Sequence, residues 1–250
     1  MRLPDSYMYQ SHDGEIGMYD PQIYLHKSIV MQRLLDAVCR GYVRHTAGVV
    51  PAHKAPRLAE KFAQCYSVHR NANQRAYARR KGQANARLFI LVNSEAPTQL
   101  LWWLLATEGE GAVHGLERLR HARNARGRVR VGDDYELIRR TRRRDKGGGA
   151  VWSWRMTREC YSQWRERIIQ ASRRSVSTEI NRAVRSLYRT PGYSGVRDQV
   201  GKLIALARSE WRRRHGNADA LMLAPKLGYV DRLPDSTVLL SDWCRGMSDT

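Results

Sequence analysis

Apolar and polar positions follow a helical period through the first third of the chain. An apolar stripe from Ile29 to Tyr42 recurs every three or four residues and predicts a helix there. Ser28 is the expected N-cap, and the helix is expected to end near Gly41 or beyond. The polar far face of this helix would carry Arg33, Arg40 and Arg44.

Two further helices are predicted before residue 83. Pro51 marks the start of the first, because the missing N–H of proline costs nothing in a first helical turn, and its apolar stripe runs from Leu58 to Tyr66. The second runs from Asn71 to Gly82 and has little apolar content. Its dominant residues are Arg75, Arg79, Arg80 and Lys81. A helix that is polar on almost every side is weakly held by its own packing, so this segment is either a basic finger that docks on a partner or a solvated connector.

The middle of the chain changes to apolar runs of strand length joined by helical segments. In chain order the predicted elements are strands over 87–92 and 100–107, a helix over 112–126, strands over 129–140 and 150–156, and a helix over 158–172 capped by Thr157. The last five follow the order β-α-β-β-α, which is most of a ferredoxin-like split βαβ unit. We therefore predict an α+β fold in which a partial ferredoxin-like antiparallel sheet packs with several helices.

The end of the chain has two more apolar stripes of helical period, from Ile180 to Tyr188 and from Val196 to Trp211, followed by short apolar runs. The predicted organisation is a helical N-terminal part with the basic finger over residues 1–82, a ferredoxin-like α+β core with C-terminal helices over 83–215, and an irregular tail over 216–250. No apolar run of about 18 residues occurs, so no transmembrane helix is expected. The polar N-terminus lacks the apolar segment of a signal peptide, which predicts a cytoplasmic protein.

The net charge of the chain predicts the class of its binding partner. The chain has 44 Lys and Arg against 24 Asp and Glu, a formal net charge of +20. A solvated surface normally mixes both signs, so the excess predicts binding to the phosphates of a nucleic acid. Arginine, the commoner cation here, favours bidentate phosphate contacts and stacking on bases. The four cysteines are widely spaced, and the sequence predicts no metal site, no cofactor and no membrane partner.

A run of three glycines at 147–149 lies inside the most basic stretch of the chain and joins two predicted strands. It is not a Walker loop, because no Gly-Lys-Ser/Thr follows it. Glycine has no Cβ, so such a loop can follow a phosphate backbone closely, although it could equally be a flexible hairpin tip. The predicted nucleic-acid-binding residues are Arg75, Arg79, Arg80, Lys81, Arg139, Arg140, Arg142, Arg143, Arg144, Lys146, Arg155, Arg212, Arg213 and Arg214.

Catalytic chemistry has the weakest signal in the sequence. His114 and Glu117 have a spacing that metal sites use, but no second such pair accompanies them, and an exposed polar pair is the better interpretation. RNA can be cut without a metal when its own 2′-OH attacks the adjacent phosphate, which needs only a base, an acid or a well-placed cation. The predicted parts of such a site are Arg40, Tyr42, Arg44 and His45, each of which could instead be structural.

The basic helices, the partial ferredoxin-like unit and the basic glycine loop together resemble the RAMP superfamily of CRISPR RNA-processing proteins. Within it, the chain looks like the pre-crRNA endoribonucleases of type IV, plasmid-associated systems, over roughly residues 30–215. The resemblance implies a protein that binds a repeat hairpin, cuts it through the 2′-OH without metal, and stays bound with other subunits of a ribonucleoprotein complex. The alternative is a non-enzymatic DNA- or RNA-binding protein of a plasmid or integrative conjugative element.

Overall fold

A computed structural model describes residues 19–141, 145, 147–174, 176–217, 219–223 and 226–248. The chain divides into two compact units. The first comprises the described residues up to Gly127 together with those from Leu233 onward, and the second runs from Arg128 to Arg232. This division differs from the predicted one, which placed boundaries after residues 82 and 215.

The first unit is a six-stranded mixed sheet with helices. Its strands are β1 (Gln22–Tyr24), β2 (Arg44–Pro51), β3 (Ala86–Val92), β4 (Gln99–Ala106), β5 (Arg120–His121) and β9 (Thr237–Leu239). Its helices are α1 (Lys27–Cys39), α2 (Ala55–Tyr66), α3 (Ala72–Arg80), α4 (Ala112–Leu116) and α8 (Leu240–Ser248). The strands lie in the order β5-β2-β4-β3-β1-β9.

Four of these strands have the ferredoxin-like arrangement. Strand β4 pairs antiparallel with both β2 and β3, so β2 and β3 run parallel with β4 between them. Strand β5 then pairs antiparallel with the other edge of β2. The sequence β2-α2/α3-β3-β4-α4-β5 is therefore a β-α-β-β-α-β unit in which the last strand lies beside the first. The predicted α+β class is confirmed, and this unit is built from residues 44–121.

The predicted assembly of that unit from residues 100–172 is wrong. Strand β4 belongs to the six-stranded sheet, whereas β7 (Tyr135–Thr141) and β8 (Ala150–Met156) pair in a separate three-stranded sheet with β6 (Arg130–Val131). The predicted helix over 112–126 is also wrong, because α4 stops at Leu116 and β5 follows. Pairing of Arg120 and His121 with the edge of β2 replaces the helix that the local pattern favoured.

Strand β2 is one of the elements that the sequence did not predict. Its residues read Arg-His-Thr-Ala-Gly-Val-Val-Pro, and alanine and glycine are poor strand formers. Pro51 ends this strand, and α2 begins only at Ala55 after a short 3₁₀ turn, which corrects the predicted helix start. Helix α1 ends at Cys39, so Arg44 is a strand residue, and the N-cap of α1 is His26 instead of Ser28.

The core of the first unit lies on both faces of the sheet. On one face, Phe62 and Ala63 of α2 pack with Leu104 of β4. Helix α1 packs on β3 with Met31 and Leu34 fully buried. The C-terminal residues predicted as an irregular tail contribute here, because β9 pairs with β1 and Leu240 of α8 joins the core.

The second unit packs three helices with its small sheet. These helices are α5 (Arg158–Ser172), α6 (Thr178–Tyr188) and α7 (Ser194–His215). The predicted β7–β8 hairpin and all three helices are confirmed, and Thr157 caps α5 by accepting a hydrogen bond from the Cys160 N–H at 3.2 Å. Helix α7 lies on β8, where Ser153 Oγ accepts the Gly195 N–H at 3.1 Å. No helix in the described part of the chain is both long and apolar enough to cross a bilayer.

Two glycines of α7 give a matched test of this packing. A Cβ at Gly195 would press on the carbonyl oxygen of Trp154, whereas a Cβ at Gly201 would meet open space. Gly195→Ala should lower the free energy of unfolding by about 1–3 kcal/mol, as overpacking does. Gly201→Ala should raise it by about 0.5–1 kcal/mol, because alanine is the better helix former. Urea denaturation of both variants measures this, and equal effects would contradict the close approach of α7 to β8.

Candidate nucleic-acid interface

Three side chains line up across the middle of the larger sheet. Leu105 on β4 lies opposite His45 on β2 and opposite Arg87 on β3. Directly paired residues share a face of a sheet, so all three point to the same side. Neighbouring strands are about 4.8 Å apart, which places the backbones of His45 and Arg87 about 10 Å apart. The register therefore brings an imidazole and a guanidinium to one face, with an apolar side chain between them.

Arg87 is the unusual member of this row. It is half-buried, and its guanidinium carbon lies 4.9 Å from the centre of the Phe89 ring. Burial lowers the pKa of Arg87, the nearby Tyr42 hydroxyl opposes this shift, and the charges of Arg75 and Arg40 add to it. No carboxylate in the described part of the chain forms an ion pair with Arg87. A partly desolvated cation beside two other cations is a site that attracts an anion.

Three different elements bring these arginines together. Arg40 is the C-cap of α1, Arg75 lies in the first turns of α3, and Arg87 is on β3. Arg75 is held in place because its guanidinium donates to the Arg70 carbonyl oxygen and its own carbonyl accepts from the Asn85 side chain at 3.0 Å. We call Arg40, Arg75 and Arg87 the arginine cluster. It contains one residue predicted as catalytic and one predicted as nucleic-acid-binding.

The two predicted proton-transfer residues near the cluster are enclosed by protein. Tyr42 is 3% exposed and His45 is 4% exposed. His45 Nε2 lies 2.7 Å from the Gly127 carbonyl oxygen, which can only accept, so Nε2 carries the hydrogen and Nδ1 is the free base nitrogen. That Nδ1 is buried and has no hydrogen-bond partner within the described residues. Burial lowers the pKa of His45, which keeps the ring neutral at pH 7.

Arg44 belongs to a different group of side chains. It is the neighbour of His45 along β2, so it points to the opposite face. Arg44 Nε donates to Glu108 at 3.0 Å, and His121 Nε2 lies 3.6 Å from the same carboxylate oxygen. His121 Nδ1 accepts the Arg123 N–H at 3.1 Å, which leaves Nε2 to carry the hydrogen that faces Glu108. The predicted catalytic set therefore divides between two faces of one sheet.

Helix α3 presents the predicted basic finger. Its N-terminus is fixed by a capping box between Asn71 and Gln74, and Ala78 is its only buried residue. Tyr77 is 56% exposed, with the Arg80 guanidinium 5.9 Å and the Lys81 ammonium 5.8 Å from its ring centre. Arg79 is also exposed. An exposed aromatic ring flanked by cations is typical of surfaces on which nucleic-acid bases stack.

The predicted residues of the second unit have different environments. Arg139 is exposed on β7 opposite Trp152, whereas Arg140 forms an ion pair with Asp198. Arg155 forms an ion pair with Glu136 at 2.6 Å. The predicted residues at the end of α7 are exposed, and these are Arg212, Arg213 and Arg214. Arg213 forms an ion pair with Glu210 at 2.5 Å. Four predicted residues lie outside the described part of the chain, and these are Arg142, Arg143, Arg144 and Lys146.

Glu136 explains why Arg155 is held in place. Its carboxylate is 4% exposed and lies 2.8 Å from Arg128 and 3.8 Å from Arg130, in addition to its bond with Arg155. A buried carboxylate needs such partners, since an unpaired buried charge is costly. This group of charges fastens β6, β7 and β8 to one another, and a structural role accounts for it.

Sequence reasoning did not identify Arg87, Glu108 or His121 as site residues. Arg87 sits at the start of an apolar strand, and a single arginine there gives no local signal. Glu108 and His121 are brought to Arg44 by the β2–β5 pairing, which depends on an unpredicted strand. Only the alternation of Arg44 and His45 along a strand could have separated these two residues, had the strand been recognised.

No protein-family profile, curated protein sequence or solved structure matches this chain.

The Arg44–Glu108–His121 group can be tested because Arg44 and Glu108 should shift the pKa of His121 in opposite directions. Burial and the Arg44 charge lower the pKa of His121, while Glu108 raises it. Glu108→Gln should therefore lower the pKa of His121 further, and Arg44→Gln should raise it, because one variant removes a negative and the other a positive neighbour. An NMR titration of the His121 ring signals in both variants measures the shifts. Shifts of the same sign in the two variants would contradict this arrangement.

Proposed function

We propose that the chain is an RNA-binding protein that seats a backbone phosphate at the arginine cluster. The observation that carries the proposal is Arg87, a half-buried guanidinium within electrostatic range of two other arginines and without a carboxylate partner among the described residues. Guanidinium groups match phosphate oxygens bidentately and are weakly hydrated, so they suit a partly desolvated phosphate site. The net charge of +20 would draw any polyphosphate toward this surface.

Helix α3 supports RNA as the polyphosphate. Arg75 belongs to the cluster, and Tyr77 lies two residues further along the same short helix, about 200° around its axis, with its ring open to solvent. A single strand that continues from the cluster around this helix offers unstacked bases, which can stack on such a ring. Proteins commonly recognise RNA in this way, through bases that are free to stack on aromatic side chains.

At a finer level, we propose that the bound RNA is cut, as the resemblance to CRISPR RNA-processing endoribonucleases implies. The ribose 2′-oxygen would form a bond to the adjacent phosphorus while the bond from phosphorus to the 5′-oxygen breaks. A base takes the proton of the 2′-OH, an acid returns one to the leaving 5′-oxygen, and a 2′,3′-cyclic phosphate remains. The cluster would stabilise the extra negative charge of the transition state. The protein would then retain the hairpin within a ribonucleoprotein complex.

One observation favours a second candidate, RNA or DNA binding without cleavage. The two side chains predicted for proton transfer, Tyr42 and His45, are almost completely buried. A general base must come within hydrogen-bond reach of the proton that it removes. A protein with this cluster and with both residues permanently enclosed would bind the phosphate and leave the RNA intact. This second candidate fits a non-enzymatic nucleic-acid-binding protein of a mobile element.

Arg87→Met tests the proposal against Arg57→Met, which removes an exposed arginine from α2. A labelled RNA hairpin with single-stranded flanks is the probe, in EDTA. Loss of Arg87 should weaken binding by about tenfold or more, since hydrogen bonds between charged groups contribute about 1.5–3 kcal/mol. Arg57→Met should change affinity by about twofold or less, because exposed charges at the surface contribute about 0–1 kcal/mol. Thermal melting of both variants checks that they fold.

The same RNA separates cutting from binding. If the chain cuts, Arg87→Met should slow cleavage by about 10²-fold or more, the order seen when one transition-state donor is removed. A single 2′-deoxy nucleotide 5′ of the cut should stop cleavage and leave binding unchanged. Intact RNA under all conditions supports the second candidate. Equal affinity of the two arginine variants and the unaltered chain would reject the cluster as the phosphate site.

A further inference from the structure

Helix α6 in the second unit carries a row of arginines on its outer side. Its inward side is fixed by a buried stripe that consists of Ile180, Asn181, Ala183, Val184 and Leu187. Arg182, Arg185 and Arg189 are exposed on the other side. With 3.6 residues per turn, this spacing places them within about 60° of one another around the helix and along about 10 Å of its axis. We call these three residues the α6 row.

The α6 row has no carboxylate partner within the described residues. The nearest acidic residue along the helix, Glu179, forms an ion pair with Arg174 at 3.5 Å. Arg185 instead lies against the sulfur of Met222, with its nitrogen 3.5 Å away. This situation contrasts with Arg140 and Arg155 of the same unit, each of which is paired with a carboxylate. The row therefore keeps three uncompensated charges at close spacing.

Two open clefts adjoin this row. One, of about 220 Å³, is lined by Thr178, Arg182, Arg185, Ser186 and Arg189. The other, also of about 220 Å³, is lined by Arg167, Gln170, Ala171, Glu179 and Arg182. Arg182 lies between them and borders both. Each cleft is a concave space, large enough for a phosphate group, with guanidinium groups on its walls. The first has hydroxyl side chains and, among the described residues, no carboxylate in its lining, whereas the second also contains the Glu179 carboxylate, so the first is the better phosphate site.

The helix that carries the row is anchored to its unit. The Asn181 side chain donates to the Ala220 carbonyl oxygen at 2.9 Å and accepts the Met222 N–H at 2.8 Å. These bonds fix the segment that contacts Arg185, and they hold one side of the row against a defined backbone. The arginines thus project from a fixed surface, so their spacing is a property of the fold.

We propose that the α6 row is a second RNA-binding surface, which takes consecutive backbone phosphates of a bound RNA. The inference rests on the proposed function for RNA binding as such. It adds residues that the sequence did not indicate, because arginines spread along an amphipathic helix resemble an ordinary solvated face. Phosphate contacts of this kind position the nucleic acid and do not read its bases.

The test compares two triple variants of the full chain, each of which removes three positive charges. The first variant is Arg182→Gln/Arg185→Gln/Arg189→Gln, and the control replaces three exposed arginines of the first unit by Gln, namely Arg57, Arg118 and Arg126. Binding of the labelled RNA hairpin is measured between about 50 and 300 mM salt. Each phosphate contact contributes about 0.7–0.9 to the slope of log K against log salt, so loss of the row should reduce the slope by about 2–3. Its affinity should fall at least about tenfold below that of the control.

The outcomes separate this inference from the proposed function. Equal slopes for the row variant and the control, with RNA binding intact and Arg87→Met impaired, would overturn the α6 row alone. A nearly flat salt dependence of the unaltered chain would overturn both. The variant Arg182→Lys/Arg185→Lys/Arg189→Lys keeps the charge and should keep the slope of the unaltered chain, which separates charge from any effect on folding. Tighter binding of duplex DNA than of the hairpin, with the same loss in the row variant, would reject RNA as the ligand.

Discussion

The charge of Arg87 on a half-buried face of the sheet is the constraint on which this account depends. Two like charges about 7 Å apart repel by about 2 kcal/mol at an effective dielectric constant near 20, and Arg87 has two arginine neighbours that lower its pKa. A fold can tolerate this when an aromatic ring covers the guanidinium and a hydroxyl lies nearby, as Phe89 and Tyr42 do here. An incoming phosphate would offset this repulsion, and the proposed site depends on that effect.

The strand register decides which side chains can share that phosphate. Strand β4 pairs with β2 and β3 at once, and the alternation along β2 sends His45 toward the cluster and Arg44 away from it. A one-residue shift of β2 would exchange these two side chains and bring Arg44 to the face of the sheet that carries Arg87. The register of β2 therefore decides whether His45 or Arg44 shares that face.

Elements with a strong local period were predictable from sequence, and those that depend on distant partners were not. The apolar runs of β3 and β4, strand β8 and the long helices α5 and α7 were predicted close to their observed bounds, whereas the strand predicted over 129–140 divides into β6 and β7. Strand β2 has weak strand formers, β5 has two residues, and β9 forms only by pairing with β1 more than two hundred residues earlier. For the same reason, the sequence identified many arginines of the candidate site and could not tell which ones a carboxylate neutralises. Arg155 was predicted to bind nucleic acid and is held by Glu136, whereas Arg87 was overlooked.

The central claim is that Arg87 contacts a phosphate, and arginine side-chain NMR observes that contact directly. With isotope-labelled arginine, the Nε–H signal of Arg87 can be assigned by comparison with a variant that lacks it and followed during titration with a short RNA. The account predicts that this signal shifts and becomes protected from exchange with water, together with the signals of Arg40 and Arg75, at RNA concentrations that saturate binding. An unchanged Arg87 signal in the saturated complex, while other arginine signals move, would contradict the account.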